Sequence, residues 1–344
     1  MRYKLLGQTG VYVSQLCLGT MTFGGKGFWE PIGKLNANEA EKIIGKALDA
    51  GVNFIDTANA YSEGEAEKLL GQALGSLKVP REEVIIATKV RLRMGKGPNQ
   101  IGLTRKHIFE QIDASLARLK LDFIDLYQIH GRDEDTPIEQ TMDALCDIVH
   151  TGKVRYIGFS NLPAWFAMKA IAYSKAAGIP SFVSAQMYYS IVSRDIEREI
   201  VPLAQDQNLA ILPWSPLSGG LLTGKFDMIH PGPEDARRTK FDFPPVDVER
   251  AKKVIGVLKN ASEKIGISPA RLALAWVLTR PFVTSIIIGA KTLEQLEDDL
   301  AAVDVEIPPE YIKEIEKISE LPPEYPGWMV PWQNRDRRPE QKNE

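Results

Sequence analysis

Four side chains that can share and move a proton stand at or just after short apolar runs in the first 130 residues of the chain. They are Asp56, Tyr61, Lys89 and His130. A free tyrosine has a pKa of about 10, which is too high for ready proton donation at neutral pH. A nearby ammonium group stabilises the phenolate and lowers that pKa, and a carboxylate keeps the ammonium charged. We therefore expect Tyr61 to be a proton donor whose pKa is lowered by Lys89, with Asp56 holding the charge on Lys89.

His130 has the chemistry to bind a carbonyl oxygen. That oxygen becomes negative when the carbonyl carbon is attacked, and a hydrogen bond from the histidine ring stabilises the developing charge. No cysteine or serine stands beside a base in the sequence, so we expect a nucleophile from outside the chain. A hydride from a nicotinamide cofactor fits this requirement.

The elements that must position these residues alternate regularly along the chain. Amphipathic segments such as 38–51 and 104–121, the second with Thr104 as its predicted N-cap, separate short apolar runs. Apolar strands that alternate with helices indicate a parallel sheet covered by helices. Eight such units predict a (β/α)8 TIM barrel, taking in residues 1–344 as a single domain with its active site at the carboxyl ends of the strands. The predicted strands are 14–19, 53–56, 84–89, 123–130, 154–160, 182–186, 209–215 and 284–289.

Three segments fall outside this repeat. Residues 3–14 alternate around two glycines and predict an N-terminal β-hairpin that closes the bottom of the barrel. Residues 218–247 are polar and rich in proline, which predicts a long irregular loop that starts on the top face. The tail 328–344 is polar at its end and is predicted to fray.

The later strand ends carry side chains that suit a nicotinamide ring. Ser160, Asn161 and Gln186 have the donors and acceptors to hold a carboxamide, and Trp214 offers a flat face on which the ring could stack. The sequence has no G-x-G-x-x-G motif after a strand, which argues against a Rossmann site.

Two further segments of the sequence could bind phosphate groups. The segment 215–225 supplies glycine backbone amides and Lys225 for a pyrophosphate. The segment 289–300 opens a helix with Lys291 and Thr292 near its N-terminus, where an anion is stabilised.

Composition excludes several other classes of protein. The net charge of −3 and the lack of a basic run argue against binding to nucleic acid or to an anionic membrane surface. No apolar run is long enough to span a membrane, and the N-terminus lacks a signal-peptide pattern. Cys17 and Cys146 are expected to be small buried residues rather than a disulfide framework or metal ligands, which indicates a reducing cytoplasm. We expect a small-molecule partner, no metal, and a monomer or small homo-oligomer.

The chain resembles the aldo-keto reductases over nearly its whole length. The resemblance is carried by GVNFIDTANAYSEGEAEKLLGQAL (51–74), VIIATKV (84–90), DFIDLYQIH (122–130), GKVRYIGFSN (152–161), PWSPLSGGLLTGK (213–225) and IIIGAKTLEQLEDDL (286–300). It implies NADPH-dependent reduction of aldehydes or ketones to alcohols, with the catalytic tetrad on Asp56, Tyr61, Lys89 and His130. The implied cofactor contacts are Ser160, Asn161, Gln186, Trp214, Ser215, Pro216, Leu217, Gly219, Leu221, Lys225, Gly289, Lys291, Gln295, Asp298 and Asp299.

The sequence departs from the family's pattern at two places. Members commonly have tryptophan after the histidine, whereas Gly131 and Arg132 follow it here, which predicts a wider pocket with a positive charge near its mouth. One branch of the family has arginine at the position of Gln295 and uses it for the 2′-phosphate of NADP. Lys291 is then expected to provide most of the binding to the 2′-phosphate in this chain.

Substrate-facing residues are less specific in the sequence. Trp29 is expected either to line the pocket or to act as a simple lid contact. Arg91, with Arg93 and Lys96, either selects acidic substrates or belongs to a solvated loop. The remaining histidines, His107, His150 and His230, are expected on the surface.

Two other functions remain open from the sequence. Lys89 alone could form a Schiff base, as in an aldolase barrel, although Asp56 and Tyr61 favour a charged lysine that is not a nucleophile. Some members of the resembling family are regulatory subunits of potassium channels with slow turnover. Those members would carry an added segment before the hairpin, and the hairpin predicted here begins at Tyr3.

Overall fold

The computed structural model describes residues 1–226, 232–234, 236–335 and 337, and its centre is an eight-stranded parallel sheet. The sheet order is β10-β3-β4-β5-β6-β7-β8-β9, and a parallel bridge between Ile211 and Val283 brings its two edges together. The eight predicted strands and the (β/α)8 TIM barrel are therefore confirmed. The strands are β1 Tyr3–Leu5, β2 Tyr12–Ser14, β3 Leu16–Gly19, β4 Phe54–Asp56, β5 Ile85–Val90, β6 Ile124–Ile129, β7 Val154–Ser160, β8 Phe182–Tyr188, β9 Ala210–Trp214 and β10 Ile286–Ile288.

Helices follow the strands and cover the outside of the barrel. The predicted cap at Thr104 is confirmed, because its side chain accepts from the backbone N–H of His107. Asn36 and Glu39, which the sequence analysis did not identify as caps, form a capping box on the first long helix. The helices are α1 Ala37–Asp49, α2 Glu65–Ser76, α3 Arg105–Leu119, α4 Ile138–His150, α5 Ala164–Ala177, α6 Ile200–Asp206, α7 Arg237–Lys240, α8 Val248–Ile265, α9 Pro269–Leu278, α10 Leu293–Leu300, α11 Pro309–Ser319 and α12 Met329–Gln333.

The N-terminal hairpin of β1 and β2 lies across the bottom of the barrel, as predicted. Leu6 and Val13 are fully buried against residues at the amino-terminal half of the barrel interior, among them Phe54 and Leu212. Gly7 has a φ of +58°, and a Cβ atom there would lie 2.5 Å from the carbonyl oxygen of Val183. Only glycine therefore allows the hairpin to approach the strand ends this closely.

The loop after β9 differs in part from its prediction. The sequence predicts no regular structure over 218–247, but a 3₁₀ turn at Ser218–Thr223 and helix α7 lie within it. The buried guanidinium of Arg238 explains the order, because it donates to the carbonyls of Ser218 at 2.8 Å and Pro244 at 2.9 Å. Residues 227–231, which include His230, and residue 235 lie outside the described residues.

The sequence also makes predictions for the tail and for the two cysteines. Helix α12 lies in the tail, but the last residues of 328–344 lie outside the described part of the chain, so fraying stays a prediction. Cys17 and Cys146 are both free and buried, as expected. Within the described residues, no helix is both long enough and apolar enough to cross a membrane.

Candidate active site

The ammonium group of Lys89 is the centre of a hydrogen-bonded cluster at the top of the barrel. The side chain is fully buried, forms a short ion pair with Asp56, and donates to the carbonyl of Thr57 at 2.8 Å. Its Nζ also lies 3.2 Å from the hydroxyl oxygen of Tyr61. The structure therefore brings together the carboxylate, the ammonium and the phenol that the sequence singled out.

The carboxylate of Asp56 is held in place by amide side chains from more distant strands. Its Oδ1 accepts from Gln128 Nε2 at 3.1 Å and from Gln186 Nε2 at 2.9 Å. Its Oδ2 accepts from Lys89. Both carboxylate oxygens are thus hydrogen-bonded, which a charge only 2% exposed requires if it is to be tolerated.

A constrained turn after β4 presents Tyr61 to this cluster. The next residues, Ser62 and Glu63, have positive φ angles of +49° and +58°, a conformation that costs free energy for residues other than glycine. Ser62 is fully buried, and its hydroxyl donates to the carbonyl of Phe23 at 2.6 Å and accepts from the N–H of Gly25 at 2.9 Å. Ser62 therefore fixes the Tyr61 turn against the loop after β3, a contact that the sequence analysis did not identify.

The electrostatics of Tyr61 correct one expectation. Burial raises the pKa of the Tyr61 phenol, Lys89 opposes that change, and the pKa remains above its ordinary value. The expected net lowering is therefore wrong for this structure. Burial also lowers the pKa of Lys89, but Asp56 and Tyr61 outweigh it, so that the pKa of Lys89 is raised and the lysine is charged.

His130 follows β6, and its ring contacts the ring of Tyr61. The centroids of the His130 and Tyr61 rings are 5.8 Å apart and the rings meet edge to face. Burial, and then the positive charges of Lys89 and Arg91, hold the pKa of His130 well below its usual range. The imidazole is therefore neutral, with one N–H to donate and one nitrogen to accept.

The predicted carboxamide-binding residues are adjacent and are hydrogen-bonded to one another. The hydroxyl of Ser160 donates to the backbone carbonyl of Gln186 at 2.9 Å, and the side-chain amide of Asn161 donates to Ser160 Oγ at 2.9 Å. The oxygen of the Asn161 amide accepts from Trp214 Nε1 at 3.0 Å. These contacts join the ends of β7, β8 and β9 to the carbonyl of His130, to which Asn161 also donates at 3.2 Å.

Aromatic rings surround Trp214 and Tyr61. The ring of Phe243 stacks on Trp214 with centroids 5.9 Å apart and planes 11° apart, and Tyr188 lies 5.0 Å away at 31°. Two rings therefore already contact the indole of Trp214. A nicotinamide ring that stacks on Trp214 would use the indole surface that they leave open, or it would displace Phe243. Trp29 packs against Tyr61 with a centroid distance of 4.9 Å, so it lies beside the phenol rather than outside the site.

The predicted phosphate-binding loop runs along the same rim. Ser215, Gly219 and Gly220 have positive φ angles, and the hydroxyl of Ser215 accepts from the N–H of Gly219 at 2.9 Å. Pro216 and Leu221 are buried beneath the loop, Leu217 is half-buried and Lys225 is exposed. A Cβ atom on Gly220 would meet nothing within 4 Å, so the backbone there faces open space.

Lys291 lines a cavity of about 370 Å³ on this rim, together with Glu30, Pro31, Gly33, Lys34 and Lys240. The backbone N–H of Lys291 donates to Gln295 Oε1 at 2.9 Å, and Gly289 just before it is exposed. Lys34, Lys240 and Lys291 bring positive charge to this cavity, which Glu30 offsets in part through its ion pair with Lys34, and the remaining positive charge favours a phosphate ligand.

The two acids of α10 differ in their surroundings. Asp298 is engaged by its own protein, because it accepts from Arg271 at 2.7 Å and from the hydroxyl of Ser268. Asp299 is buried, and burial together with the charge of Asp298 raises the pKa of Asp299 to about 8. Asp299 is therefore mostly protonated at neutral pH and can donate as well as accept a hydrogen bond.

The three arginines predicted on the substrate side all contact other parts of the protein. Arg91 Nε donates to the carbonyl of Arg132 at 3.1 Å, and Arg93 donates to the carbonyls of Gly95 and Gly97. The guanidinium of Arg132 lies 4.9 Å from the centre of the Phe166 ring, in a cation–π contact. Arg93 thus fits the solvated-loop alternative, whereas the charge of Arg91 acts on His130 and that of Arg132 lies against an aromatic ring.

Two residues lie where the sequence analysis did not expect them. The prediction that His107 is a surface residue is wrong, because its side chain in the first turn of α3 is fully buried. Arg237, in α7, was not identified at all, yet its positive charge is among those that oppose the rise in the pKa of Tyr61. Its position after a long loop left no sequence signal that could have found it.

An oxidoreductase barrel is the class of protein that this fold and site define. The model of the Aldo/keto reductase family matches residues 15–320, and the chain therefore belongs to that family. It is similar to the uncharacterized oxidoreductase YrpG of Bacillus subtilis (strain 168), at 36% identity over 328 residues that cover 92% of this chain and 96% of that protein. The predicted family resemblance is confirmed.

Other relatives have more specific names. The versiconal hemiacetal acetate reductase of Aspergillus parasiticus is 33% identical over 343 residues, which cover 92% of this chain and 96% of that protein. A probable voltage-gated potassium channel subunit beta of Oryza sativa subsp. japonica is 34% identical over 332 residues, which cover 94% of this chain and 98% of that protein. The chain thus spans nearly the full length of relatives with enzymatic names and with a regulatory name.

Proposed function

We propose that the protein reduces aldehydes or ketones to alcohols with NADPH, and that the reaction is reversible. One observation carries this proposal: Lys89 Nζ forms an ion pair with Asp56 and lies 3.2 Å from the Tyr61 hydroxyl. That arrangement supplies a proton to an oxygen placed beside the phenol. Membership of the aldo/keto reductase family supports a nicotinamide cofactor.

The residues of the site fit such a cofactor. Asn161 and Ser160 offer polar atoms for a carboxamide, the open backbone at Gly220 accommodates a phosphate oxygen, and Lys291 lies at the cationic cavity. When bound, the reduced nicotinamide supplies a hydride to the carbonyl carbon.

The protein's own groups then act on the carbonyl oxygen. His130 donates its N–H to that oxygen and orients it, and Tyr61 transfers its proton to the oxygen as the negative charge develops. An alkoxide is a much stronger base than a phenolate, so the transfer remains favourable even with the raised pKa of Tyr61. The fixed charge of Lys89 stabilises the phenolate that is left.

Multiple-turnover oxidation of NADPH with an aromatic aldehyde such as 4-nitrobenzaldehyde tests the proposal. We expect stoichiometric formation of the alcohol and repeated turnover. A protein that binds NADPH but completes no more than one turnover with any member of a panel of aldehydes, ketones and sugars would contradict it.

The pH dependence of reduction follows from the two pKa directions. Reduction needs a protonated Tyr61 and a neutral His130. The raised pKa of Tyr61 keeps the proton on the phenol past its usual value of about 10, and the lowered pKa of His130 removes its titration from the region of about 6.5. The rate of hydride transfer in a single turnover should therefore be flat from about pH 6 to about pH 9 and fall only above that range. A step near about pH 6.5 would show that His130 titrates in the working enzyme.

Lys291→Ala is expected to narrow the preference for NADPH over NADH. The ammonium group contributes a charge-assisted contact to the 2′-phosphate, and such a contact is worth about 10-fold or more in affinity. Dissociation constants for both cofactors, measured by fluorescence titration, check this. Lys34→Ala is a control on the same cavity, where the lysine is already paired with Glu30. A Lys291 variant that keeps the full preference would contradict the assignment.

The second candidate is a cofactor-binding regulatory subunit with slow turnover. It is favoured by the similarity to the potassium channel subunit beta of Oryza sativa. The same turnover assay separates the two functions, since a regulatory subunit that releases its oxidised cofactor slowly would show one fast turnover followed by a slow steady rate. The aldolase alternative is disfavoured because Lys89 is charged and engaged by Asp56, Thr57 and Tyr61; borohydride trapping of a lysine adduct tests it.

A further inference from the structure

The buried carboxylate of Glu67 joins two helices and a strand of the barrel. Glu67 lies in the first turn of α2, and its side chain is fully shielded from solvent. One carboxylate oxygen accepts from the hydroxyl of Thr88 in β5 at 2.5 Å, and the other accepts from Arg118 Nε in α3 at 2.6 Å. Both oxygens are therefore hydrogen-bonded, and the charge is paired with that of the arginine.

The segments that Glu67 joins are those that carry the phenol and the ammonium group of the site. Helix α2 begins directly after the turn Tyr61–Gly64, and Thr88 directly precedes Lys89 in β5. Successive side chains of a strand point to opposite faces, so Thr88 reaches Glu67 on the helix side while Lys89 reaches Tyr61 inside the barrel. The hydrogen bond from Thr88 thus couples the two segments that hold the phenol 3.2 Å from the ammonium group.

The Tyr61 turn depends on contacts from outside itself. Its residues Ser62, Glu63 and Gly64 have positive φ angles of +49°, +58° and +89°. For the two residues that are not glycine this conformation costs free energy, and it persists only where the surroundings impose it. Ser62 anchors the start of the turn to the loop after β3. At the other end, a Cβ atom on Gly64 would lie 2.8 Å from Cδ of Arg118, the side chain that Glu67 holds in place.

We propose that Glu67 is a positioning residue for proton transfer, which fixes the distance between Tyr61 and Lys89 by binding Thr88 and Arg118. This proposal rests on the proposed function for the role of Tyr61 as the proton donor. Transfer of a proton depends steeply on geometry, and a displacement of about 1 Å costs up to about 10²-fold in rate. The hydrogen bonds of Glu67 therefore act on the rate without any contact with the reacting atoms.

Thr88→Val tests the coupling with the least disturbance, because it removes the hydroxyl and keeps both the shape of the side chain and the ion pair of Glu67. The turn then loses a hydrogen bond to a charged group, which is worth about 10-fold or more in an equilibrium. We expect single-turnover hydride transfer to slow by about 10-fold or more while the affinity for NADPH stays unchanged. Thr88→Ser keeps the hydroxyl and should transfer hydride at nearly the original rate.

Glu67→Gln removes the charge as well, and its control is Asp125→Asn. Asp125 in β6 is another buried carboxylate, which accepts from Arg81 and from the N–H of Ile86 at 2.8 Å. Both variants break an ion pair that is largely buried, so both should lower the melting temperature. Only Glu67→Gln should slow hydride transfer. Equal slowing in the two variants would assign the effect to lost stability and overturn the proposal.

The double variant Glu67→Gln/Tyr61→Phe shows whether Glu67 acts through the phenol. Residues that act through one another give effects that do not add. Without the hydroxyl of Tyr61, the change at Glu67 should slow hydride transfer no further than Tyr61→Phe alone. If the two losses multiply instead, Glu67 acts on some other group and the proposal is wrong.

Hydrogen–deuterium exchange of residues 60–66 gives a readout that does not depend on turnover. The backbone N–H groups of Tyr61 and Glu63 are hydrogen-bonded within the turn, so a looser turn exchanges them faster. We expect faster exchange in Thr88→Val and Glu67→Gln but not in Asp125→Asn. Unchanged exchange, or faster exchange with an unchanged rate of hydride transfer, would overturn the proposal. A native protein without turnover would end the proposed function, and the exchange results would still decide whether Glu67 holds the turn.

Discussion

Tyr61→Phe should lower turnover by about 10²–10⁴-fold, the usual contribution of a general acid, while leaving the affinity for NADPH unchanged. The phenylalanine ring keeps the contacts with Trp29 and His130, because both involve the ring rather than the hydroxyl. Lys89 keeps its ion pair with Asp56 and its bond to the Thr57 carbonyl. The variant therefore loses the proton donor and little else. Single-turnover hydride transfer and fluorescence titration of NADPH measure the two quantities separately.

A matched control for that experiment lies in the barrel wall. Tyr127 in β6 is fully buried, and its hydroxyl has no hydrogen-bond partner among the described residues. Tyr127→Phe removes the same atom from another buried tyrosine and should leave turnover unchanged. If Tyr61→Phe weakens NADPH binding as much as it slows turnover, then Tyr61 holds the cofactor and is not the proton donor.

Lys89→Met should remove both activity and stability. The substitution keeps the volume of the side chain but leaves the carboxylate of Asp56 buried without its counterion. Breaking a buried ion pair in this way costs about 3–5 kcal/mol of the free energy of unfolding. Turnover should fall by at least about 10²-fold, because the phenolate loses the charge that stabilises it. Urea-induced unfolding and steady-state kinetics measure the two effects.

The double variant Asp56→Asn/Lys89→Met separates these effects. Asparagine is neutral and can still accept from Gln128 and Gln186, so most of the lost stability should return. Activity should not return, because the ammonium group is still absent. If the double variant is less stable than Lys89→Met alone, the instability does not come from the unpaired carboxylate, and the electrostatic account of the cluster is wrong.

Several features of the barrel could be predicted because they depend on neighbours in the sequence. Apolar runs that alternate with helix-period segments indicate strands and helices locally, and parallel strands in one barrel end on the same face. That rule predicts Asp56, Lys89 and His130 at one mouth of the barrel from the sequence. The cap at Thr104 and the hairpin around Gly7 are local in the same sense.

Other features depend on which residues meet through space, and only the folded chain decides them. The phenol of Tyr61 and the ring of His107 are desolvated by loops that the local pattern does not describe. Arg237 reaches the neighbourhood of Tyr61 from a segment near the other end of the barrel repeat. Burial and charge–charge interactions sum over all surrounding atoms, whatever their distance along the chain. The residue types and their order thus determined the barrel and the members of the site, whereas the tertiary structure determined the direction of their pKa changes.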